Sequence, residues 1–430
     1  MKTSAALAGV AALPAVATSA DARQATLVSA PAQLGIGIIG IGGQGWWHLE
    51  QLRQIDNAKI VALCDVDANH LVRAARAITD AQTFVDYREM LKTPGIDAVL
   101  IATPDHTHAV LCAAALRAGK HVYCEKPLTH TVREARTIAD LAKESGRVTQ
   151  MGIQVHNWGN YANVVKLIQG GAIGKVSEVH IWNNRTNNPA DPNIVPPPAT
   201  LNYDLWLGPV AHRAFHADFH PYNWRRYWDF GSGLAGDIGC HFMDLAFWAL
   251  DLKYPTRVEA LEGAPLDEDV TAEWIVATYD FPARDDKPPV KLTWYDPPRT
   301  PAQLSSWKLP ADVAGEGVMF IGEDGRMLFA NYWKHLALPA EKFSDFVEAP
   351  TAPVARSHHR EWIDACVKND PTLTSAPFSY GGPLTESSLL GTVSFRVKKP
   401  LEWDAENLRA TNAPEAEQFL SSTYSEGWTL

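Results

Sequence analysis

Apolar and polar positions change rhythm along this chain, and the change divides it. From Leu34 to about residue 152, short unbroken apolar runs alternate with stretches of helical period. The runs Leu34–Ile39, Lys59–Leu63, Ile96–Ala102 and His121–Cys124 read as buried strands, and Trp46–Ile55, Ala109–Ala118 and Val132–Ser145 as the helices between them. Strands that alternate with helices of this length predict a doubly wound parallel sheet, with ligands taken up beyond the carboxyl ends of its strands. Past residue 152 the strands come one after another: 176–182, 257–262, 271–279, 290–294, 317–321 and 326–329. That order predicts an open, mainly antiparallel sheet with helices on one face. Two late helices, His358–Lys368 with Ser357 as N-cap and Thr385–Arg396, are expected to pack back on the first domain.

The predicted architecture is α/β, a Rossmann sheet over 34–152 followed by an α+β domain over 153–400 and a C-terminal tail over 401–430. Ahead of it, residues 1–23 have the form of an export leader: Lys2, an alanine-rich apolar stretch from Ala5 to Val16, and a small-x-small site at Ala20-Asp21-Ala22. A polar, proline-containing linker over 24–33 follows. The leader predicts a periplasmic or secreted protein, although no arginine pair precedes the apolar stretch. A cytoplasmic protein with an alanine-rich tail is the alternative. No later run has the ~18 apolar residues that a membrane-spanning helix needs.

The first strand ends in Gly40-Ile41-Gly42-Gly43-Gln44-Gly45, and twenty residues after Gly45 the second strand ends in Asp65. In a strand–helix–strand unit this spacing is the dinucleotide-binding fingerprint. Gly40 allows the tight turn, Gly42 lets backbone approach a pyrophosphate, and Gly45 lets helix pack on strand. The helix end offers amides to the phosphates. Asp65 is placed to accept the ribose hydroxyls, and with no Arg or Lys directly after it the sequence predicts NAD rather than NADP.

Composition narrows the picture further. The 430 residues carry a net charge of −11, which gives no footprint for nucleic acid as a partner. Five cysteines show neither a C-x-x-C pair nor zinc spacing.

Three groups of residues carry candidate chemistry at the crevice. Glu125-Lys126-Pro127 follows the strand at 121–124, where an ammonium can stabilise a developing alkoxide. Asp237 and His241, four apart with Asp244 three further on, share one helix face. Asp237 would sit in the helix's first turn, stabilised by the dipole, and His241 would act as acid or base near neutral pH. His106, His108, His156 and His180 form the third group, with Trp182 on the same strand face as His180. His180 and His241 leave a metal site open as an alternative, although no short ligand spacing demands one. Between the strands at 176–182 and 257–262 lies a long segment dense in Pro, Trp, Tyr and Phe, including Tyr222 and Trp224. Loops of that length are usually functional, and stacked aromatics suit a sugar. With fifteen tryptophans in the chain, core packing remains the other reading.

The glycine turn, Cys64-Asp65-Val66-Asp67, Thr103-Pro104-Asp105-His106-Thr107-His108, Glu125-Lys126-Pro127 and Gly236-Asp237-x-x-x-His241 occur in the order and spacing of the Gfo/Idh/MocA oxidoreductases. The resemblance covers about 34–400, and the stretch from Ser357-His358-His359-Arg360-Glu361-Trp362 through Leu401-Glu402-Trp403-Asp404 to Gly427-Trp428 resembles the exported sugar-utilisation branch. It implies an NAD-dependent oxidoreductase transferring hydride from a secondary hydroxyl of a sugar, polyol or glycoside. Lys126, Asp237 and His241 would be catalytic. Gly40, Gly42, Gly43, Gln44, Gly45, Asp65, Thr103, Pro104, His108, Glu125 and Lys126 would hold the cofactor. His156, His180, Trp182, Tyr222 and Trp224 would meet a small carbohydrate, and a homo-oligomer would form through the second sheet. The alternatives are a family glycosidase or lyase that recycles bound NAD, or uses a metal, and a non-catalytic nucleotide-binding protein. The stretch Gln154-Val155-His156 departs from the arginine-rich pattern of relatives, so no sugar contacts carry over there.

Overall fold

The computed structural model describes residues 33–186, 189–191, 193–343 and 357–430. The leader expected over 1–23 lies outside the described residues. The first sheet consists of β1 (Leu34–Ile39), β2 (Ala58–Cys64), β3 (Gln82–Phe84), β4 (Ala98–Ile101), β5 (His121–Glu125) and β6 (Thr149–Gly152). All pairings are parallel and the order is β3-β2-β1-β4-β5-β6. Every residue of β1 and β4 is buried, which is why both read as unbroken apolar runs rather than alternating ones. The order reverses between β1 and β4, and that switch point opens the ligand crevice.

The helices of this half are α1 (Gly43–Leu52), α2 (Ala68–Ala77), α3 (Tyr87–Met90), α4 (Asp105–Arg117) and α5 (Val132–Ser145). α1 begins inside the glycine turn, three residues before Trp46. α4 takes up His106, Thr107 and His108, which were expected in a loop, because Pro104 precedes the helix in extended conformation and Asp105 suits its positive end. α5 opens on a capping box in which Thr131 and Glu134 bond each other's backbone.

The second half contains α6 (Gly159–Gln169), β7 (Glu178–Trp182), α7 (Tyr203–Leu207), α8 (Gly233–Asp237), α9 (Gly239–Leu250), β8 (Arg257–Gly263), β9 (Ile275–Phe281), β10 (Val290–Tyr295), β11 (Gly317–Ile321), β12 (Met327–Ala330) and β13 (His335–Leu338). α10 (His358–Lys368), α11 (Phe378–Val397), β14 (Leu401–Asp404), β15 (Arg409–Ala410) and α12 (Glu417–Leu420) close the chain. Nine strands pair in the order β13-β12-β11-β7-β10-β9-β8-β14-β15, antiparallel except for β7 with β10. β9 starts at Ile275 rather than Thr271, since the Thr271 amide is drawn to Arg226 O at 2.7 Å. Residues 401–404 and 409–410, expected as tail, extend the sheet beyond β8 as β14 and β15.

One sheet face is covered by helices. Val179, Ile181, Leu292 and Phe320 pack there with Phe242, Met243 and Leu390. α10 joins the other core: its Trp362, Ile363 and Cys366 pack with Leu34, Ile36 and Ile38 of β1. α11 starts seven residues earlier than expected, at Phe378, because Gly381 and Gly382 let it lie close against the first half. A Cβ on either would come 2.9 Å from Met151 Sδ or Ala139 Cβ respectively. The described residues form one compact unit. Among the described residues no helix is long and apolar enough to cross a membrane.

Candidate active site

The glycine turn has the close contacts its sequence demands. Gly40 lies at φ +81°, and a Cβ on Gly45 would sit 1.9 Å from Gly40 O, so only glycine lets α1 reach β1. No side chain caps α1, and the space beside exposed Gly43 and Gln44 is open, as a pyrophosphate cradle requires. Asp65 ends β2 with its carboxylate turned to this loop: Oδ2 accepts from Ile41 N at 2.7 Å, and Oδ1 from Asp67 N at 2.9 Å. His70 Nδ1 lies 3.2 Å from Oδ2 as well. These residues fit a dinucleotide.

Across the crevice, the Lys126 ammonium lies 2.5 Å from Asp237 Oδ1 and 2.8 Å from Asp237 O. Arg225 Nε stands 3.7 Å from the same carboxylate oxygen. Burial opposes both charges, yet the pair resolves it. Asp237 holds Lys126 above its ordinary pKa, while Lys126 and then Arg225 hold Asp237 well below the usual carboxylate range. Asp237 therefore owes its charge to these cations. It ends the short α8 rather than opening a long helix, so the expected dipole contribution is absent. His241 opens the next helix. Burial and then the Lys126 charge push its imidazole down to about 4, so it is neutral at physiological pH rather than poised near 7. Its Nδ1 is buried without a hydrogen-bond partner.

Sequence reasoning missed several members of this cluster. Asp105, buried at the start of α4, accepts from Ser232 Oγ at 3.0 Å. Burial and then the Asp237 charge raise its pKa to about 7. Its signal was its place in the Thr103–His108 motif. Arg225 was hidden among aromatics: its guanidinium lies 4.6 Å from the Tyr222 ring centre and 4.1 Å from that of Trp224. Tyr222 is exposed and Trp224 buried, so the two reach the site through Arg225. The Glu125 carboxylate is engaged by His48 Nε2 at 2.7 Å and Gln154 Nε2 at 2.6 Å, with His359 Nε2 2.6 Å from His48 Nδ1. Glu125 thus ties α1 and α10 to β5. One turn beyond Gly45, His48 was the readable signal.

The other expected site residues are held by partners of their own. Both ring nitrogens of His108 are taken, by Pro127 O and Thr103 O at 2.8 Å each, so it joins two crevice loops instead of presenting a free nitrogen. Thr103 Oγ1 accepts from Thr107, and Pro104 starts α4. His156 is buried, 2.8 Å from Asp244 Oδ1 and stacked on Trp248 at 4.1 Å. His180 and Trp182 project from the opposite face of β7 to Val179 and Ile181, into a cluster with Trp307, Met319 and Phe329. Strand alternation put them together as read, but on the face away from α8 and α9. His180 bonds Glu178 at 2.9 Å, and Trp182 Nε1 donates to Ala314 O at 2.8 Å. Among the described residues, His180 and His241 do not come together as metal ligands; the group close enough for that is Asp67, His70 and His220.

A glycine-rich turn thus faces a half-buried lysine–carboxylate pair and a neutral imidazole across the crevice. Residues 34–153 match the oxidoreductase family's NAD-binding Rossmann fold, and 164–286 its C-terminal alpha/beta domain; the chain belongs to the Gfo/Idh/MocA oxidoreductase family. It is 30% identical over 159 residues to the myo-inositol 2-dehydrogenase of Thermotoga maritima, covering 37% of this chain and 47% of that protein. It is 33% identical over 144 residues to the scyllo-inositol 2-dehydrogenase (NAD(+)) of Bacillus subtilis, 33% of this chain and 42% of that protein. The chain spans about half the length of the curated relatives it matches. Its fold is similar to that of levoglucosan dehydrogenase, solved with NADH and levoglucosan, with TM-score 0.61 and 19% identity over 86% of this chain and 98% of that one.

Proposed function

We propose that this protein oxidises a secondary hydroxyl of a sugar or polyol with NAD. The observation that carries the reading is the half-buried Lys126–Asp237 pair beside a neutral His241 imidazole whose Nδ1 has no partner. Bound in the crevice, NAD supplies the hydride acceptor. The neutral His241 takes the hydroxyl proton, for which its unprotonated ring is already in the required state. The Lys126 ammonium donates to the same oxygen and stabilises the negative charge that develops there. Asp237 fixes the ammonium's position and charge, and Arg225 shares the load on Asp237. The names of the inositol-oxidising relatives support a polyol or sugar as substrate class. Asp65, with no adjacent cation, favours NAD over NADP. The reading includes a homo-oligomer and export from the cytoplasm, tested by light scattering and by N-terminal sequencing of the mature protein. Incubation with NAD and a panel of inositols, hexoses and glycosides tests the activity. NADH formation that needs Lys126 supports it; sugar release without NADH formation would replace it with glycosidic cleavage.

A further inference from the structure

The long aromatic segment after β7 leaves the second sheet and lies along the crevice. Near its start it bonds the β2–α2 turn: Ala68 N donates to Thr200 O at 2.9 Å and Asn202 N to Val66 O at 2.8 Å. Further on, His220 Nε2 meets Asp67 Oδ2 at 3.0 Å, and its ring lies 5.6 Å from that of His70. His70 faces Asp65 and presses on the glycine turn, where a Cβ on Gly42 would fall 2.5 Å from His70 Cε1. Five residues after His220, Arg225 reaches Asp237, and Ser232 then bonds Asp105. One stretch, 193–232, thus touches both the ribose end and the catalytic end of the crevice.

The stretch is also braced from within. Val195 N donates to Phe215 O and Ala217 N to Asn193 O, each at 3.0 Å. Trp206, Phe215, Phe219, Tyr227 and Phe230 form their own buried cluster. Arg213 Nη1 donates to Asp229 Oδ2 at 2.7 Å. Lifting it off the β2–α2 turn therefore means moving a packed body, fastened at the ribose end by the contacts to residues 66–69 and further along by His106 Nε2 with Trp206 O at 2.9 Å and Ser232 on Asp105.

We propose that this stretch is a strap over the adenosine end of the cofactor, latched by His220 on Asp67, and that the latch sets how slowly NAD leaves the protein. The inference rests on the NAD reading above and deepens it: the second domain supplies part of the cofactor site. His220 acts as a positioning residue through Asp67 and His70. The donor atoms of Asp67, His70 and His220 lie within 4.8 Å of one another, a spacing a divalent ion also accepts, but the direct His220–Asp67 contact closes the latch without one.

The test is the dissociation rate of NADH from the purified full chain, followed by the change in its fluorescence on dilution. His220→Ala should speed release roughly tenfold, the loss of one hydrogen bond to a charged group. His220→Gln, whose amide can donate to Asp67, should recover most of the slow release, and a chelator should leave the wild type unchanged. In the wild type, NAD should slow hydrogen exchange at the Ala68 and Asn202 amides, which checks the strap without any variant. Wild-type release rates in His220→Ala, or exchange at those amides indifferent to NAD, would overturn the strap while leaving NAD binding intact. Faster release with chelator would overturn the hydrogen-bonded latch in favour of a metal clip. A wild type that binds neither NAD nor NADH would overturn the cofactor reading and the strap together.

Discussion

The glycine turn and the aromatic stretch 193–232 border the same crevice, yet they are built by different physics. The turn is specified by backbone: Gly45 admits no Cβ, and Gly40 needs a positive φ. The aromatic stretch is specified by side chains that meet partners far along the chain, as His220 meets Asp67 and Arg225 meets Asp237. Groups from both halves of the chain meet at the crevice. Lys126 follows a Rossmann strand, while Arg225 and Asp237 arrive from the other side. Local backbone rules thus shape the glycine turn, while pairing across long sequence distances shapes the opposite side of the crevice.

Breaking the seam between the two regions should have the largest effect. Lys126→Ala removes the ammonium and leaves Asp237 with Arg225 alone; turnover should fall by about two to three orders of magnitude, the usual loss for a donor to a developing oxyanion. Steady-state kinetics on the best substrate checks it, with unchanged turnover removing Lys126 from the mechanism. Trp182→Ala sharpens the contrast from outside the crevice. It should lower stability by about 3–5 kcal/mol, as for other buried large side chains, yet leave kcat intact below the unfolding transition. A lost kcat with unchanged stability would return Trp182 to the site.

A pH experiment addresses Asp105, which sits where the regions meet. Its folded pKa, about 7, lies above the ordinary 3.8, so its contribution to stability is full below 3.8, declines as pH rises, and is gone once pH passes about 7. Asp105→Asn should remove that slope. Denaturant midpoints across this range check it; parallel curves for wild type and variant would show that Asp105 ionises normally. The smallest effect is expected at exposed Tyr222. Tyr222→Ala takes one aromatic face from Arg225, worth about 0.5–1 kcal/mol, and should raise KM severalfold while stability barely changes. A KM unmoved by the change would exclude the Tyr222–Arg225 contact from substrate binding.

The same contrast explains what could be read in advance. β1, the glycine turn and Asp65 follow from local period and spacing, so the chain itself announces them. Lys126, Asp237 and His241 were readable as motifs, but their roles depended on neighbours distant in sequence. Thus Asp237 pairs with Lys126 across 111 residues instead of drawing on a helix dipole. His180 and Trp182 show the limit most clearly. Alternation puts them on one strand face, but which face meets the crevice depends on where α8 and α9 pack, and no local pattern encodes that. His220 and Arg225 looked like polar punctuation in an aromatic run because their partners, Asp67 and Asp237, lie outside it.

The central claim is hydride transfer between a carbohydrate hydroxyl carbon and NAD under the control of Lys126 and His241. The most direct measurement is the mass of the nucleotide released after the protein has reacted with inositols or hexoses deuterated at their carbinol carbons. The account predicts reduced nucleotide heavier by one deuterium, with the label lost in Lys126→Ala and His241→Ala. Product formed with only unlabelled NAD recovered, or label appearing equally in both variants, would contradict it.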